Sequence, residues 1–131
     1  MYKALEHYRS FLETGPIVVA GDFNNHVQWD KPDKPGNHIN TVDQLGNLEL
    51  VSAYHHARSV LPGGETEHTL LWGKLKFHID YCFIPKDWQS RLESVNVGPE
   101  ADWKGISDHL PLIIDLAVEA PASQTPVPAC P

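Results

Sequence analysis

Apolar residues near the start of the chain recur at the spacing of an α-helix. Charged residues separate them and Gly15-Pro16 follows, so the pattern predicts an amphipathic helix that ends there. Its apolar positions are Tyr2, Leu5, Tyr8 and Leu12. The next run, residues 16–20, is short and rich in β-branched side chains, which predicts a buried strand. That run breaks at Gly21 and is followed by an acid and an amide.

A polar segment, residues 24–40, separates this strand from the next periodic stretch. A loop of this length is either functional or disordered. Because it begins directly at Asp22 and Asn24, we favour a loop that lines a site. Residues 41–44, Thr-Val-Asp-Gln, have the form of a capping box and predict a helix capped by Thr41. The apolar residues 50–54 fit either a helix end or a short strand.

The second half of the chain is rich in short apolar runs that are typical of strands. The first two are expected to form a hairpin around Gly73. The predicted strands are residues 68–72, 77–84, 95–97 and 110–118. Residues 119–131 are rich in proline and lack periodicity, so we expect a disordered tail after one domain of residues 1–118. The order of elements predicts an α/β or α+β fold with a mixed sheet.

Composition narrows the class of protein. A hydrophobic content of 41% supports a core, and a formal charge of -7 argues against a broad basic surface for gripping nucleic acid. A nuclease remains compatible, because a bound divalent cation changes the electrostatics of a site. There is no apolar run of the ~20 residues that a membrane span requires. Cys82 lies in a predicted strand and Cys130 in the tail, so we expect no structural disulfide and a cytoplasmic location.

Three groups of polar residues lie at the ends or edges of apolar strands. Asp80 lies in a predicted buried strand and therefore needs a partner, since an unpaired buried charge is costly. Asp108 and His109 could supply it from a turn ahead of the last strand. Taken singly, each has a plainer explanation: Asp22 and Asn24 as turn formers, Asp80 as a structural acid, and His109 as a bystander.

Taken together, the three groups resemble the C-terminal motifs of the endonuclease/exonuclease/phosphatase family. The matching segments are Gly21-Asp22-Phe23-Asn24, Ile79-Asp80-Tyr81 and Ser107-Asp108-His109-Leu110-Pro111, with a weaker match at Thr69-x-x-Trp72. Their order and spacing agree from about Leu5 to Val118. The family consists of Mg²⁺-dependent phosphoesterases, which include abasic-site endonucleases, deoxyribonucleases and inositol polyphosphate 5-phosphatases.

The resemblance implies a role for each matching residue. Asp22 corresponds to the carboxylate that orients or deprotonates the attacking water, and Asn24 to the amide that holds the phosphate. Asp80 corresponds to the acid that fixes the catalytic histidine, His109 to that histidine, and Asp108 to a metal-site carboxylate, with Asp22 also near the metal. Phosphoester hydrolysis places negative charge on oxygens, so a cation and donors are needed. Oxygen ligands favour Mg²⁺ or Mn²⁺.

The resemblance covers only the second half of the family's domain. The implied fold class is α+β: half of a four-layer α/β/β/α sandwich, with a mixed, mainly antiparallel sheet and helices on one face. The family's early Asn and metal-binding Glu have no counterpart, and Glu6 and Glu13 lie on a predicted helix instead. We therefore expect a truncated form that pairs with its missing half or with a second copy as a homodimer, since a lone half exposes an apolar sheet face.

The resulting functional hypothesis is a divalent-metal-dependent phosphoester hydrolase acting on a phosphoester, with nucleic acid among the candidates. The alternative is a catalytically inactive phosphate- or partner-binding module. A serine hydrolase built from Ser107, His109 and Asp80 is disfavoured, because no G-x-S-x-G turn exists. Zinc ligation by His55, His56, His68 and His78 is disfavoured by their spacing. Trp29 and Trp72 could stack on a base, although Trp is more often core or rim.

Overall fold

The computed structural model describes residues 1–118 as five helices and seven strands, with two short 3₁₀ turns at Val27–Trp29 and Lys86–Arg91. The predicted disordered tail, 119–131, lies outside the described residues. The helices are α1 (Tyr2–His7), α2 (Arg9–Leu12), α3 (His38–Gly46), α4 (Ala53–Arg58) and α5 (Glu100–Trp103). The strands are β1 (Val19–Asp22), β2 (Leu50–Ser52), β3 (Leu70–Trp72), β4 (Leu75–Phe77), β5 (Asp80–Pro85), β6 (Leu92–Val97) and β7 (Leu112–Leu116).

Every strand pairing in the described part of the chain is antiparallel, as the mainly antiparallel α+β prediction requires. The strands form a three-stranded sheet in the order β1-β5-β2 and two two-stranded sheets, β3-β4 and β6-β7. An isolated bridge between Leu70 and His109 connects β3 to the segment that leads into β7. No helix within residues 1–118 is long and apolar enough to cross a membrane.

Strand β5 is the centre of the larger sheet, and both of its faces are buried. Side chains alternate along a strand, so Tyr81 and Phe83 point to one face, where they pack with Leu5 of α1 and Leu45 of α3. The opposite face carries Cys82 and Ile84, which pack with residues of α4 and β6. Residues 81–84 therefore alternate as a strand does, within the strand predicted from the sequence at residues 77–84.

The prediction of a buried strand after Pro16 is wrong in one respect. β1 begins at Val19 and lies at the edge of its sheet, and its residues from Ala20 to Asp22 are exposed. Val18, just before it, is 48% exposed. Hydrophobicity identified the strand, but a short β-branched run has the same composition at an edge as at the centre of a sheet.

Helix α3 begins earlier than the capping-box pattern predicted. Its N-cap is Asn37, and Thr41 is buried within the helix, where its hydroxyl donates to the carbonyl of Asn37 at 3.1 Å. The first N–H groups are instead satisfied by Asp30, whose carboxylate accepts from His38 at 2.6 Å and from Ile39 at 3.1 Å. The cap therefore comes from a distant residue, which local sequence patterns do not reveal.

Two further boundaries differ from the sequence prediction. The first amphipathic segment is divided at Tyr8 into α1 and α2. The hairpin around Gly73 consists of β3 and β4 alone, while β5 is a separate strand that pairs with β1 and β2. Gly73 has a φ of 62°, so the tight turn uses the left-handed region that glycine adopts readily.

A cluster of buried polar side chains lies beneath the turn that carries Asn24 and Asn25. Its centre is Glu65, whose side chain is 3% exposed and accepts hydrogen bonds from His55 at 2.8 Å and from the backbone of Gly63 at 2.9 Å. The buried histidines are His26, His38, His55 and His78. Tyr81 joins them to the turn, since its hydroxyl donates to the carbonyl of His78 at 2.6 Å and lies 3.4 Å from that of Asn25.

Burial and hydrogen bonding shift the pKa values of three side chains in this cluster. Desolvation lowers the pKa of His38 and of His78, and the neighbouring carboxylates only partly oppose it. Burial alone would raise the pKa of Glu65, but the hydrogen bonds from His55 and from backbone N–H groups lower it to about 2. The folded chain therefore holds an ionised Glu65 near two histidines, His38 and His78, that favour the neutral form.

Acidification is expected to destabilise the fold through His38 and His78. Because their pKa values are lower in the folded chain than in the unfolded one, the unfolded chain binds more protons below the ordinary value of about 6.5. The free energy of unfolding, measured by urea denaturation, should fall between about pH 7 and about pH 5. Glu65 adds its own loss at lower pH, as the pH falls from its ordinary pKa of about 4.5 through its folded pKa of about 2.

The matched pair of variants is His38→Phe and His56→Phe. His38 is fully buried with neither ring nitrogen paired, whereas His56 is exposed. His38→Phe should make the pH dependence shallower and His56→Phe should leave it unchanged. An equal slope in all three proteins would show that His38 is not its source.

Candidate active site

Asp80 and His109 form a hydrogen-bonded pair at the end of the larger sheet. Nδ1 of His109 lies 2.8 Å from Oδ2 of Asp80, and since a carboxylate only accepts, Nδ1–H donates. The other ring nitrogen, Nε2, lies 4.0 Å from Oδ2 of Asp22. The structure thus brings together three of the residues singled out from the sequence, with the imidazole between two carboxylates.

The strand register is what brings the two acids together. Asp22 is the last residue of β1 and Asp80 the first of β5, and they lie directly opposite each other in the antiparallel ladder. His109 lies in the segment before β7. An isolated β-bridge to Leu70, at the start of β3, holds it in place. Residues that are 29 and 87 positions from His109 in the chain therefore meet at one point.

Asn24 and Asp22 form a tight turn as well as part of this site. The backbone N–H of Asn24 donates to Oδ1 of Asp22 at 2.7 Å, and its side-chain amide donates to Oδ2 at 2.9 Å. Asn24 has a φ of 48°, a left-handed conformation that asparagine tolerates better than most residues. The plainer explanation, an Asx turn, therefore holds for this pair, and one hydrogen of the amide remains for another acceptor.

The surrounding acids favour the protonated form of His109. Burial lowers the pKa of His109, but the hydrogen bond to Asp80 and the charges of Asp80, Asp22 and Asp108 raise it by more, so that it lies above its ordinary value. A protonated imidazole held at Nδ1 presents Nε2–H as a donor to an anion. This is the electrostatic arrangement that a phosphate oxygen would require.

An open groove of about 510 Å³ begins at this pair of residues. Asp80 and His109 lie at its polar end, and the remainder of its lining is largely apolar. The apolar lining comes from β1, β5, β7 and the segment before β7: Ala20, Cys82, Leu110, Pro111, Leu112 and Ile114. A groove of this kind supplies both a reactive polar end and an apolar surface on which another molecule or chain segment could pack.

Asp108 is exposed, and its backbone, not its carboxylate, makes the hydrogen bond that holds it in place. Its carbonyl accepts from the N–H of Leu71 at 2.7 Å. Within residues 1–118, no group of three or more His, Cys, Asp or Glu side chains is arranged to hold a metal ion. Asp22 and Asp108 alone therefore do not make a complete site for Mg²⁺ or Mn²⁺, whose binding requires more oxygen ligands than these.

The disfavoured alternatives are also placed by the structure. His55 and His78 lie in the buried cluster, whereas His56 contacts Gln89 at 3.0 Å and His68 lies 3.9 Å from Glu100, so the four histidines are not gathered around one point. The hydroxyl of Ser107 accepts from the N–H of His109 at 2.9 Å. Ser107 therefore serves the turn, and Nδ1 of His109 is already directed to Asp80.

The two tryptophans differ in their surroundings. Trp29 packs edge-on against Phe77, with ring centroids 4.8 Å apart, and also lies 5.9 Å from His26. Trp72, at the tip of the β3–β4 hairpin, is 67% exposed. Only Trp72 has most of its ring surface available for stacking.

The sequence did not reveal the roles of several buried polar side chains near the site. Glu65 and His38 were not singled out, and Thr69 appeared only in the weak Thr69-x-x-Trp72 match. The side chains of Glu65 and His38 are buried, and the buried hydroxyl of Thr69 bonds to the backbone of Asp80. The available signal was weak: a threonine directly before an apolar run and an acid in a Gly-rich turn. Their importance depends on contacts between segments that are far apart in sequence.

The sequence matches no protein-family model and no curated protein. Solved structures do match. The 3′ phosphatase NExo (D146N) from Neisseria, bound to a product DNA hairpin, superposes with a TM-score of 0.64 at 18% identity, over 88% of this chain and 51% of that one. The endonuclease domain of TRAS1, a telomere-specific non-LTR retrotransposon, has a TM-score of 0.53 at 18% identity, over 90% of this chain and 49% of that one.

These matches confirm the predicted fold. The chain has the architecture of half of an endonuclease/exonuclease/phosphatase fold, and it spans about half the length of the structures it matches. At 18% identity the likeness concerns the fold and not the activity. The roles of Asp22, Asn24, Asp80, Asp108 and His109 remain predictions.

Replacing Asp80 by asparagine tests the electrostatic coupling within the pair. Asp80→Asn removes a negative charge while keeping the shape of the side chain, so the pKa of His109 should fall toward about 6.5. The measurement is an NMR titration of the ring protons of His109. Asp102→Asn is the matched control, because Asp102 is exposed and is not among the charges that act on His109. An unchanged pKa in Asp80→Asn would contradict the proposed coupling.

Proposed function

We propose that this chain is the second half of a phosphoester hydrolase of the endonuclease/exonuclease/phosphatase family. The observation that carries the proposal is the arrangement of one imidazole between Asp80 and Asp22, at the polar end of an open groove. The shared fold with a 3′ phosphatase and an endonuclease domain supports it. The order of the family-like motifs along the sequence supports it independently of the structure.

Each residue has a chemical task in this proposal. Protonated His109 donates from Nε2–H to an oxygen of the phosphate, while Asp80 accepts from Nδ1–H, which orients the ring and favours its protonated form. Asp22, whose carboxylate lies 4.0 Å from Nε2 of His109, accepts a proton from the attacking water or orients it. The free hydrogen of the Asn24 amide contacts the phosphate. These tasks stabilise the charge that develops on phosphate oxygens.

The divalent cation in this proposal requires ligands beyond the described residues, because those present form no three-residue metal group. Asp22 and Asp108 contribute carboxylates close to His109, as their effect on its pKa indicates. The remaining ligands come from another chain segment or another polypeptide. This requirement also favours the second candidate function, a binding module that holds a phosphate without hydrolysing it.

The substrate we favour is a nucleic-acid phosphoester. The product DNA hairpin named for the Neisseria phosphatase and the endonuclease activity named for the TRAS1 domain support this class. A formal charge of -7 indicates recognition by local contacts at the groove and not by a broad basic surface. We place the protein in the cytoplasm on the basis of its cysteine content, with Cys82 buried as a free thiol.

Hydrolysis of an aryl phosphodiester in the presence of Mg²⁺ or Mn²⁺ tests the proposal when the segment or polypeptide that supplies the remaining metal ligands is present. Asp22→Ala and His109→Ala should each abolish most of the activity, with losses of ~100-fold or more, because a proton-transfer group is removed. His56→Ala is the control, since His56 is exposed and far from the groove.

Two results would decide against hydrolysis. Activity that persists in His109→Ala would exclude His109 from the reaction. Phosphate binding without any hydrolysis under these conditions, lost in His109→Ala, would establish the binding module instead.

We further propose that the groove and the open edge of β1 are covered by a missing half-domain or by a second copy of this chain. Within the described part of the chain, β1 pairs only with β5, and Ala20 is exposed on the groove. Apolar lining that is open to water is unfavourable, so burying it stabilises an assembly. A homodimer is the simplest case.

Sedimentation equilibrium of the isolated chain tests the homodimer. We expect a concentration-dependent dimer, weakened at least tenfold by Ala20→Glu, which places a charge in the groove. Leu61→Glu is the matched control, because Leu61 is 81% exposed and belongs neither to β1 nor to the groove lining. A compact monomer at high concentration would contradict self-association and leave the missing half-domain as the partner.

A further inference from the structure

Thr69 connects the two members of the Asp80–His109 pair. It is fully buried and lies directly before β3. Its side chain bonds to the segment that begins with Asp80, and its main chain bonds to the segment that contains His109. A single residue therefore contacts both of the elements whose separation determines the hydrogen bond between the pair.

The hydroxyl of Thr69 supports the start of β5. Its Oγ1 accepts from the N–H of Ile79 at 3.1 Å and from the N–H of Asp80 at 3.0 Å. The carbonyl of Ile79 accepts from Phe23 at 2.9 Å, directly after Asp22. The hydroxyl thus holds the Asp80 backbone at the point where β5 meets the end of β1.

The main chain around Thr69 holds the histidine segment. Its carbonyl accepts from the N–H of Leu110 at 2.7 Å, and its N–H donates to the carbonyl of Phe77 at 2.8 Å. The next residue, Leu70, lies opposite His109 in a β-bridge. Thr69 therefore bonds directly to the backbone of Asp80 and to the backbone of Leu110, the residue after His109.

We propose that Thr69 is a positioning residue that sets the alignment of Asp80 with His109 through its hydroxyl. Its effect on catalysis rests on the proposed function, but its effect on the pair does not. Thr69 has no place in the groove lining, so it acts through Asp80 and not on the substrate. The hydroxyl is needed because a side chain of the same shape without an acceptor leaves two buried N–H groups unpaired.

The decisive variants are Thr69→Val and Thr69→Ser. Valine keeps the shape and removes the acceptor, whereas serine keeps the acceptor and removes a methyl group. Thr41→Val is the control for losing a hydroxyl from a buried threonine, because Thr41 is also fully buried and its hydroxyl bonds within α3 to Asn37. Thr69→Ala provides a second acceptor-free variant if Thr69→Val does not fold.

The readout is the tautomer of neutral His109, observed by ¹⁵N NMR of the imidazole ring at alkaline pH. The bond to Asp80 requires the Nδ1–H form, whereas an unconstrained neutral histidine favours the other tautomer. We expect Nδ1–H to dominate in the unmodified chain, in Thr69→Ser and in Thr41→Val, and to lose its dominance in Thr69→Val or Thr69→Ala. A purely structural role for Thr69 would lower stability without changing the tautomer.

A second readout is hydrolysis of the aryl phosphodiester. Thr69→Val should lower kcat by roughly 10- to 100-fold with little change in KM, as expected when a supporting residue misaligns a catalytic group. Thr69→Ser should recover most of this loss.

The two readouts separate the two hypotheses. An unchanged tautomer in folded Thr69→Val, or in folded Thr69→Ala, would overturn the positioning role whatever the activity. A changed tautomer in a chain that hydrolyses nothing would uphold the positioning role and count against the proposed function.

Discussion

The central position of β5 is the constraint on which both the fold and the site depend. Both faces of β5 are buried, so its side chains must alternate between two packed clusters, and a slip of one residue would reverse them. The register that satisfies this packing also places Asp80 opposite Asp22. Core packing therefore determines where the acids lie, and the site needs no separate mechanism to bring these two together.

Hydrogen bonds of polar side chains hold the segments that the apolar clusters do not. The long loop between β1 and α3 is held by side-chain bonds to backbone: Asn25 to Gly36, Asn37 to Lys31, and Asp30 to the first N–H groups of α3. Beneath it, Glu65 and its histidines fill space that an apolar core would otherwise occupy. Such groups are tolerated in a core chiefly when they are hydrogen-bonded, which makes their arrangement specific. Buried polar side chains therefore lie beneath the turn that carries Asn24, whereas apolar side chains pack against the strand that begins at Asp80.

The described residues form a well-packed sheet region that is chemically incomplete for metal-dependent hydrolysis. The imidazole, its supporting acid and a second carboxylate are assembled, but no three His, Cys, Asp or Glu side chains in residues 1–118 are arranged to hold a metal ion. The same side of the molecule has an open groove and an open strand edge. The chain spans about half the length of the structures whose fold it shares.

Much of this followed from the sequence by itself. The strand leading to Asp22, the alternation through β5 and the family-like order of motifs were evident because they depend on neighbouring residues. Tertiary structure decided what neighbours cannot report: that β1 is an edge strand, that Asp30 and not Thr41 caps α3, and that β5 is separate from the β3–β4 hairpin. It also gathered Glu65 with four buried histidines and placed Thr69 between Asp80 and His109. The physical reason is that a local pattern specifies which face of an element is apolar, whereas the partner of a buried polar group is chosen by the packing of distant segments.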